Sequence, residues 1–395
     1  MSFLIMIFVG YILYGLISSL LPSVWVNVAD SISVDYTLLG LLMMICTGAS
    51  GVSSALAYKF RRKFGTSISI VISMTCWLIS LFLFFFAKNL PMICLALLFL
   101  GAANGLIDTV SNSYMIKAYG GGKISLLHAS WGLGSSIGPI LMSYAVVSTS
   151  SYQNGFLWST YAVIISILII IALKIWWEGK KKILPKEYVS RHSVSKEEKD
   201  SHTNMLDIFK INLGIEFVIC YVLCGSVNSL LNSWMATLST QQRAISVADG
   251  AKAASFFFIG LTIIRLILGL ISSKIKTKYI MYPSMIVLII GTAMLFVRNN
   301  SATYAYIAAS IIGAGVAPLI PFLNHSIKEI FDEEYIGVIM SCCNSISLIC
   351  GAIITALMSL VIKLIGINNC QIMPLALTLI AFFAYIHIIK KREQN

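Results

Sequence analysis

Twelve long apolar runs, separated by short polar breaks, are the feature of this sequence that most restricts its fold. A helix needs about 20 apolar residues to cross the hydrocarbon core of a bilayer. The runs do not alternate in polarity as the strands of a membrane barrel would. The sequence therefore predicts an all-α integral membrane protein with twelve transmembrane helices. These spans, numbered 1 to 12, fall at residues 3–28, 37–57, 66–87, 91–116, 125–147, 155–177, 208–237, 251–273, 279–297, 302–327, 335–362 and 371–389.

The composition excludes most other classes of protein. Of the 395 residues, 58% are hydrophobic and only 11% are charged, whereas a soluble domain carries roughly 25% charged residues. The nine cysteines lie mostly inside apolar runs and show no spacing typical of a zinc site or a disulfide framework. The sequence contains no H-E-x-x-H and no Walker motif. We therefore expect neither an enzyme nor a nucleotide-driven pump, and no cofactor or metal.

The distribution of basic residues predicts the orientation in the membrane. Counted together with the basic residues at the adjoining span ends, the segments after even-numbered spans hold 22 Lys and Arg residues and those after odd-numbered spans hold five, while Arg265 lies farther inside span 8. Because basic loops stay in the cytoplasm, a multi-pass protein of the plasma membrane with both chain ends cytoplasmic is predicted. The basic residues that give the net charge of +12 then face the anionic lipid of the cytoplasmic leaflet. No nucleic-acid partner is therefore expected. The expected state is a monomer in the lipid bilayer.

A polar segment divides the spans into two sets of six. Residues 178–207 are predicted to form a cytoplasmic linker between an N-terminal six-helix bundle, residues 1–177, and a C-terminal six-helix bundle, residues 208–395. A shift of 210 residues places span 1 on span 7, and a shift of 212 residues places span 4 on span 10, with the identities Tyr11/Tyr221, Gly15/Gly225, Gly101/Gly313 and Asn112/Asn324. Two pseudo-symmetric bundles around a central site resemble the plan of the major facilitator fold.

Span 4 carries three polar side chains on one face. Asn104, Asp108 and Asn112 recur at intervals of four residues, so an α-helix places them together. A polar group in the hydrocarbon is costly unless it meets a partner or a watery cavity. One interpretation is a structural carboxylate held by a basic group. We favour the other, in which Asn104 and Asn112 bind substrate and Asp108 binds and releases a proton, or binds sodium when ionised.

Span 7 supplies a second set of polar residues. Asn228 and Asn232 lie one turn apart with Trp234 close by. This set suits a polyhydroxylated ligand, because amides exchange hydrogen bonds with hydroxyls and an indole packs on C–H groups. Asparagines also join helices to one another, which is the structural alternative. Glu216, near the start of the span, is expected either to take part in ion coupling or to pair with Arg265.

Four further residues complete the candidate site. His128 lies one turn inside span 5, where a histidine either bonds to the helix end or relays protons near neutral pH. Tyr11 belongs to a polar stripe on span 1. Spans 10 and 11 contribute Asn324 and Asn344, and these two residues and Tyr11 are predicted to bind substrate.

Prolines are expected to interrupt span 10. Pro318 and Pro321 follow Gly313 and Gly315, and proline within a helix removes a backbone hydrogen bond. An interrupted span is typical of a helix that gates a transport pathway.

Two segments resemble a known branch of transporters. The run Gly105-Leu-Ile-Asp-Thr-Val-Ser-Asn112, followed by Leu127-His128 and Gly132-Leu-Gly134, resembles the fucose/glucose–cation symporter branch of the major facilitator superfamily. In that branch the acid of the span 4 run belongs to the coupling machinery, and it falls on Asp108. The run from Asn228 to Trp234 is similar to the branch's E-x5-W motif, with Asn228 in place of a common Glu.

The chain also departs from family patterns. The fucose porter's acid in span 1 has no counterpart near Pro22, and Tyr58 replaces the aspartate of the superfamily's loop after span 2. Gly134-x3-Gly138-Pro139 resembles part of a span 5 signature of drug–proton antiporters, whose other glycines are missing here.

The resemblance implies a cation-coupled symporter that moves a sugar or a similar small polar solute by alternating access, with a proton or sodium as the second substrate. The alternative is a proton-coupled exporter of drugs or metabolites with the same fold. A cavity rich in asparagine favours the symporter, whereas an apolar aromatic cavity favours the exporter. A transporter-derived receptor or scaffold explains the sequence less well, because polar residues in the middle of the membrane would serve little purpose in it.

Overall fold

The computed structural model describes residues 2–119, 124–179, 211–271 and 275–394, which form helices joined by short turns. Apart from its first two residues, the predicted linker 178–207 lies outside this part of the chain. Ten of the described helices are long and apolar enough to cross a membrane. With α5 and the shorter apolar helix α9 they confirm the twelve predicted helices. In chain order, α1 to α12 are Ser2–Ser31, Tyr36–Ala57, Lys59–Phe86, Leu90–Tyr119, Ile124–Thr149, Gln153–Gly179, Gly214–Arg243, Val247–Ile271, Lys278–Met294, Ala302–Ile330, Glu333–Ile365 and Ile372–Gln394.

Helices α1 and α5 touch backbone to backbone at glycines. A Cβ atom on Gly134 would overlap the carbonyl oxygen of Ile12, and one on Gly15 would overlap the carbonyl oxygen of Trp131. Gly138 lies against α1 in the same way, one turn farther along α5. Small residues spaced in this manner let membrane helices approach closely. The Gly134-x3-Gly138 pair is therefore explained by packing between these two helices.

The close contacts repeat in the two halves. Gly101 of α4 meets the Cys46 carbonyl oxygen of α2, and Gly313 of α10 meets the Phe257 carbonyl oxygen of α8. These glycines are the pair that the shift of 212 residues superimposes. The two sets of six helices therefore share not only sequence but also a packing contact, as the predicted pseudo-symmetry requires.

Helix α10 is interrupted where the prolines predict. It consists of the two pieces Ala302–Val316 and Leu319–Ile330. A helical carbonyl accepts a hydrogen bond from the N–H group four residues later. For the Ala317 carbonyl that residue is Pro321, which has no N–H. The break therefore leaves a backbone acceptor that must find its partner outside the helix.

The two halves meet through α1 with α7, α2 with α11, and α5 with α8. Consecutive helices alternate in direction, so even-numbered helices end at one face, which carries the segment 59–63 and is here called the basic face. Near the opposite face, Gly40 of α2 lies against Thr355 and Ser359 of α11. The Ser255 hydroxyl of α8 donates to the Ser136 carbonyl oxygen of α5 at 2.7 Å. The halves are thus in contact away from the basic face.

Candidate functional site

The Asp108 carboxylate is held by side chains from α1 and α4. The Tyr11 hydroxyl donates to Asp108 Oδ1 at 2.7 Å, and Asn112 Nδ2 donates to the same oxygen at 3.1 Å. Tyr11 is fully buried and Asp108 is half-buried. Asp108 Oδ2 accepts no hydrogen bond from a described residue. The carboxylate is therefore oriented through one oxygen and has the other free for a proton or a ligand.

Asn104 joins three helices through hydrogen bonds at both polar atoms of its amide. Trp77 Nε1 of α3 donates to Asn104 Oδ1 at 2.9 Å, and Asn104 Nδ2 donates to Ser18 Oγ of α1 at 3.1 Å. The amide thus fastens α4 to α1 and α3, a helix-joining role that asparagines take in membrane proteins. The sequence analysis does not predict this role of Trp77. The available signal is its indole N–H, which needs a hydrogen-bond partner inside an apolar span.

His128 lies beside the Asp108 group. Its ring packs edge to face on Tyr11, with 6.0 Å between centroids, and Tyr11 in turn donates to Asp108. The position follows from packing, because Gly132, one turn along α5, brings that helix against Thr262 of α8. The structure therefore brings together His128, Tyr11 and Asp108, which the sequence placed on three separate spans.

The second half contains a matching cluster without a charge. The Tyr221 hydroxyl of α7 donates to Asn344 Oδ1 of α11 at 2.8 Å, and Asn324 of α10 lies beside the same hydroxyl. The Oδ1 atom of Asn324 is buried and accepts no hydrogen bond from a described residue. Tyr221 is the residue that the shift of 210 places on Tyr11. Tyr11 therefore donates to a carboxylate, whereas its counterpart Tyr221 donates to an amide.

The polar residues of α7 face a cleft between the halves. This cleft has a volume of about 130 Å³ and lies between α2, α7 and α11. Asn232 lines it with Ser229 and Ser233, opposite Thr47 of α2. Asn228 is half-buried one turn away. Neither asparagine amide has a hydrogen-bond partner among the described residues, so both are available to a ligand.

Two predicted site residues lie elsewhere. Trp234 is fully buried, and its Nε1 donates to the Thr355 carbonyl oxygen at 3.1 Å, so its ring packs α7 on α11 and does not face the cleft. Glu216 lies in the first turn of α7, because the helix begins only at Gly214. There Glu216 pairs with Lys391 at 3.1 Å and not with Arg265.

An aromatic wall beside these clusters was not expected from the sequence. The ring of Tyr14 stacks on Trp77 with 6.4 Å between centroids and meets Trp131 edge to face at 6.3 Å. Trp131 in turn meets Phe258 of α8 at 5.9 Å. Tyr14 and Trp131 are half-buried. The wall crosses from one half to the other and offers ring faces to the C–H groups of a solute.

Comparisons with known proteins agree with this architecture. The sequence matches the family described as Major Facilitator Superfamily over residues 4–355 and again over residues 217–394. The fold is similar to that of the nucleoside transporter NupG, with a TM-score of 0.75, 15% identity and coverage of 98% of this chain and 100% of that chain.

The fold is also similar to that of a D-xylose-proton symporter, with a TM-score of 0.73, 12% identity and coverage of 96% of this chain and 97% of that chain. At these identities the likeness to both structures concerns the fold. A search of the curated proteins finds no match to this sequence.

Proposed function

The chain belongs to the major facilitator superfamily, and on this premise we propose that it is a proton-coupled symporter of a small hydroxylated solute such as a sugar. As a member of the superfamily it is a multi-pass secondary transporter and not an enzyme. The proposal concerns the solute, the coupling ion, the direction and the orientation in the plasma membrane.

The observation that carries the proposal is the arrangement around Asp108. An ionisable side chain within a span is costly and is kept where ions or protons move. Two donors fix one carboxylate oxygen, and the free oxygen is the one that would accept a proton. A sodium ion would need several oxygen ligands, but Tyr11 and Asn112 turn an O–H and an N–H toward the carboxylate. This geometry favours the proton, with His128 as the adjacent group that passes it on.

The solute is proposed to bind between the halves. Asn228 and Asn232 offer free amides, and the wall formed by Tyr14 and Trp131 offers ring faces, a combination that suits hydroxyl groups on a carbon ring. The two structural neighbours are named for D-xylose with a proton and for nucleosides, which are hydroxylated solutes. The resemblance to the fucose/glucose–cation branch supports the same class of substrate.

Transport is proposed to proceed by alternating access. The halves, residues 1–177 and 208–395, would rock around the site, and in this structure they touch near the face opposite the basic face. From the tally of 22 basic residues against five, we propose that the basic face is cytoplasmic. A single cysteine at position 195, in a cysteine-free background, should then resist an impermeant thiol reagent in intact cells. Labelling of that cysteine from outside would overturn the orientation.

The test of the function is uptake into proteoliposomes. Purified protein is first screened by thermal shift against D-glucose, L-fucose, D-xylose, nucleosides and hydrophobic cations, because a ligand of the folded state raises the melting point. The solute that binds should then accumulate when the outside is acidic, and an equal sodium gradient without a pH difference should not drive it. A second result is that the protein binds hydrophobic cations and no hydroxylated solute, and exchanges these cations for protons. That result would refute the symporter and support the exporter.

A further inference from the structure

Arg265 is a cation in the membrane-spanning part of α8 for which the symport of a neutral sugar has no use. It is half-buried and lies inside the apolar stretch Val247–Leu270. None of the ion pairs between described side chains includes it. A cation kept in a span without an acidic partner is costly. Its presence therefore points to an anion that is not part of the protein.

One end of the Arg265 side chain is fixed by the break in α10. Arg265 Nε donates to the Ala317 carbonyl oxygen at 3.1 Å, which is the acceptor left open by Pro321. Lysine has no equivalent side-on donor with which to make this bond and still present a fork. The bond leaves the two terminal nitrogens, Nη1 and Nη2, for another acceptor. The guanidinium is thus oriented before any ligand arrives.

The guanidinium lies close to the proposed coupling group. Gly132 of α5 meets Thr262 of α8, and one turn from that contact toward the basic face lie His128 on α5 and Arg265 on α8. The His128 ring also packs on Tyr11, whose hydroxyl donates to Asp108. The guanidinium and the carboxylate therefore both lie near His128.

We propose that Arg265 binds the carboxylate of the solute, and that the solute is a sugar acid with one negative charge. This inference rests on the proposed symport and deepens it. The paired Nη atoms match the two oxygens of a carboxylate, while the aromatic wall, whose Trp131 lies one turn from His128 on α5, receives the hydroxylated carbon skeleton. A phosphate monoester carries more charge than one guanidinium neutralises, so the carboxylate is the better fit.

The charges of Asp108 and Arg265 are consistent with the joint transport of a proton and a sugar acid. In the proposed cycle, the empty carrier has an ionised Asp108 and a positive Arg265. Binding one proton and one monoanion adds no net charge, so the loaded carrier has the same charge as the empty one. A neutral sugar with one proton would add one positive charge. Symport of a sugar acid with one proton is therefore electroneutral, and symport of a neutral sugar is not.

Binding is tested on the full-length protein with four probes: D-glucuronate, D-gluconate, D-glucose and D-glucose 6-phosphate. We expect the two sugar acids to raise the melting point of the wild type more than glucose does. Arg265→Gln should weaken their binding about 10- to 100-fold, the usual effect of losing hydrogen bonds to a charged group. Arg265→Lys should retain part of the binding. Arg298→Gln removes the same charge from an exposed position and should bind like the wild type.

Transport supplies the second readout. A pH gradient should drive glucuronate or gluconate into proteoliposomes to the same level with and without a potassium diffusion potential. For a carrier that moves one net charge, a potential of about 59 mV changes the accumulation ratio about tenfold. A response of this size would overturn the electroneutral mechanism. It would also overturn the proposal that Asp108 carries a proton while Arg265 carries an anion.

Each of the remaining outcomes also tests the proposed anion site or the proposed symport. The proposal is wrong if neither sugar acid binds the wild type, or if Arg265→Gln binds them as the wild type does. If Arg265→Gln does not fold, equal binding of the acids by Arg265→Lys and by the wild type overturns it instead. Binding of glucose 6-phosphate without binding of glucuronate would replace the carboxylate by a phosphate. Proton-driven uptake of glucose that survives in Arg265→Gln would refute the anion site and leave the proposed symport intact, whereas binding of probes without any proton-driven uptake would refute the symport.

Discussion

Replacing Asp108 by asparagine should separate the binding of a solute from its accumulation. Both donors to this side chain, Tyr11 and Asn112, meet one carboxylate oxygen. An asparagine keeps an accepting oxygen there and places its amide nitrogen where the protonated acid would carry its hydroxyl. Each hydrogen bond weakens from about 1.5–3 kcal/mol for a charged acceptor to about 0.5–1.5 kcal/mol for a neutral one. For the two bonds the fold should therefore lose only about 2–3 kcal/mol, and Asp108→Asn should remain folded.

Alanine is the wrong substitution for this purpose. Asp108→Ala would leave the Asn112 amide without its acceptor and the buried Tyr11 hydroxyl with only the long bond of 3.4 Å to the backbone carbonyl oxygen of residue 108, at about 1–3 kcal/mol for each group left unsatisfied. A loss of transport would then have two explanations. Asparagine removes the titratable group and leaves the hydrogen-bond acceptor in place.

The expected magnitude follows from the proton gradient. If one proton accompanies each solute, every pH unit contributes about 1.4 kcal/mol, which is a tenfold accumulation. With an imposed difference of about two pH units, the wild type should concentrate its solute up to about 100-fold, and Asp108→Asn should reach a ratio of about one. Counterflow, in which a loaded solute exchanges without a gradient, should survive because the neutral amide mimics the protonated acid.

The assay is uptake into proteoliposomes with equal potassium on both sides and valinomycin, beside counterflow in the same vesicles. Asp249→Asn is a matched control, because Asp249 also accepts a tyrosine hydroxyl at 2.7 Å, from Tyr306, but lies at the start of α8, near the face opposite the basic face. This variant should accumulate solute like the wild type. An accumulation by Asp108→Asn that equals the wild type would show that the carboxylate is structural.

Three further predictions concern the solute cleft, the helix packing and an exposed turn. Asn228→Ala and Asn232→Ala should each weaken solute binding by about 1–3 kcal/mol, measured by calorimetry; unchanged affinity in both variants would move the site elsewhere. Gly134→Ala should destabilise the protein by about 1–3 kcal/mol through overpacking on α1, whereas Gly48→Ala, with open space around the glycine, should leave the melting point unchanged or raise it; equal melting points would contradict the close contact. The hydrogen bonds from Thr37 lower the pKa of Asp35, so Asp35→Ala should cost about 0.5–2 kcal/mol at neutral pH. This cost should vanish as the pH falls through the folded-state pKa, because protonation removes the stabilising charge from the wild type; a difference that persists in acid would refute the assignment.

The sequence predicts the helices and the polar faces well because both are local properties. Continuous apolar runs define the twelve helices, and the four-residue spacing of Asp108 and Asn112 becomes a hydrogen bond on one face of α4. The break in α10 follows from Pro318 and Pro321. The repeat also has a physical basis, because Gly101 and Gly313 occupy matching backbone contacts.

The errors come from properties that depend on the neighbours of a helix. In a chain that is apolar on all sides, hydrophobic periodicity does not say which face of α7 meets another helix, so Trp234 was assigned to the solute site although it packs against Thr355. The predicted start of span 7 lay six residues before Gly214, and this shift moved Glu216 from the interior to the first turn. Trp77 was missed because its partner, Asn104, lies on another helix.

The backbone contact between α1 and α5 has a mechanical consequence. An interface made of side chains absorbs a displacement of a few tenths of an ångström by changing rotamers, but where Gly134 rests on the main chain of α1 there are no rotamers to change. The two helices are therefore stiff relative to each other, and the Tyr11 and His128 rings keep their spacing when either helix moves. A shift of α1 caused by a change of charge at Asp108 would therefore move α5 with it, and the hydrogen bond from Ser255 to the Ser136 carbonyl oxygen joins α5 to α8. The glycines thus make α1 and α5 a rigid pair of helices. This pair connects the Asp108 carboxylate to the second half of the protein.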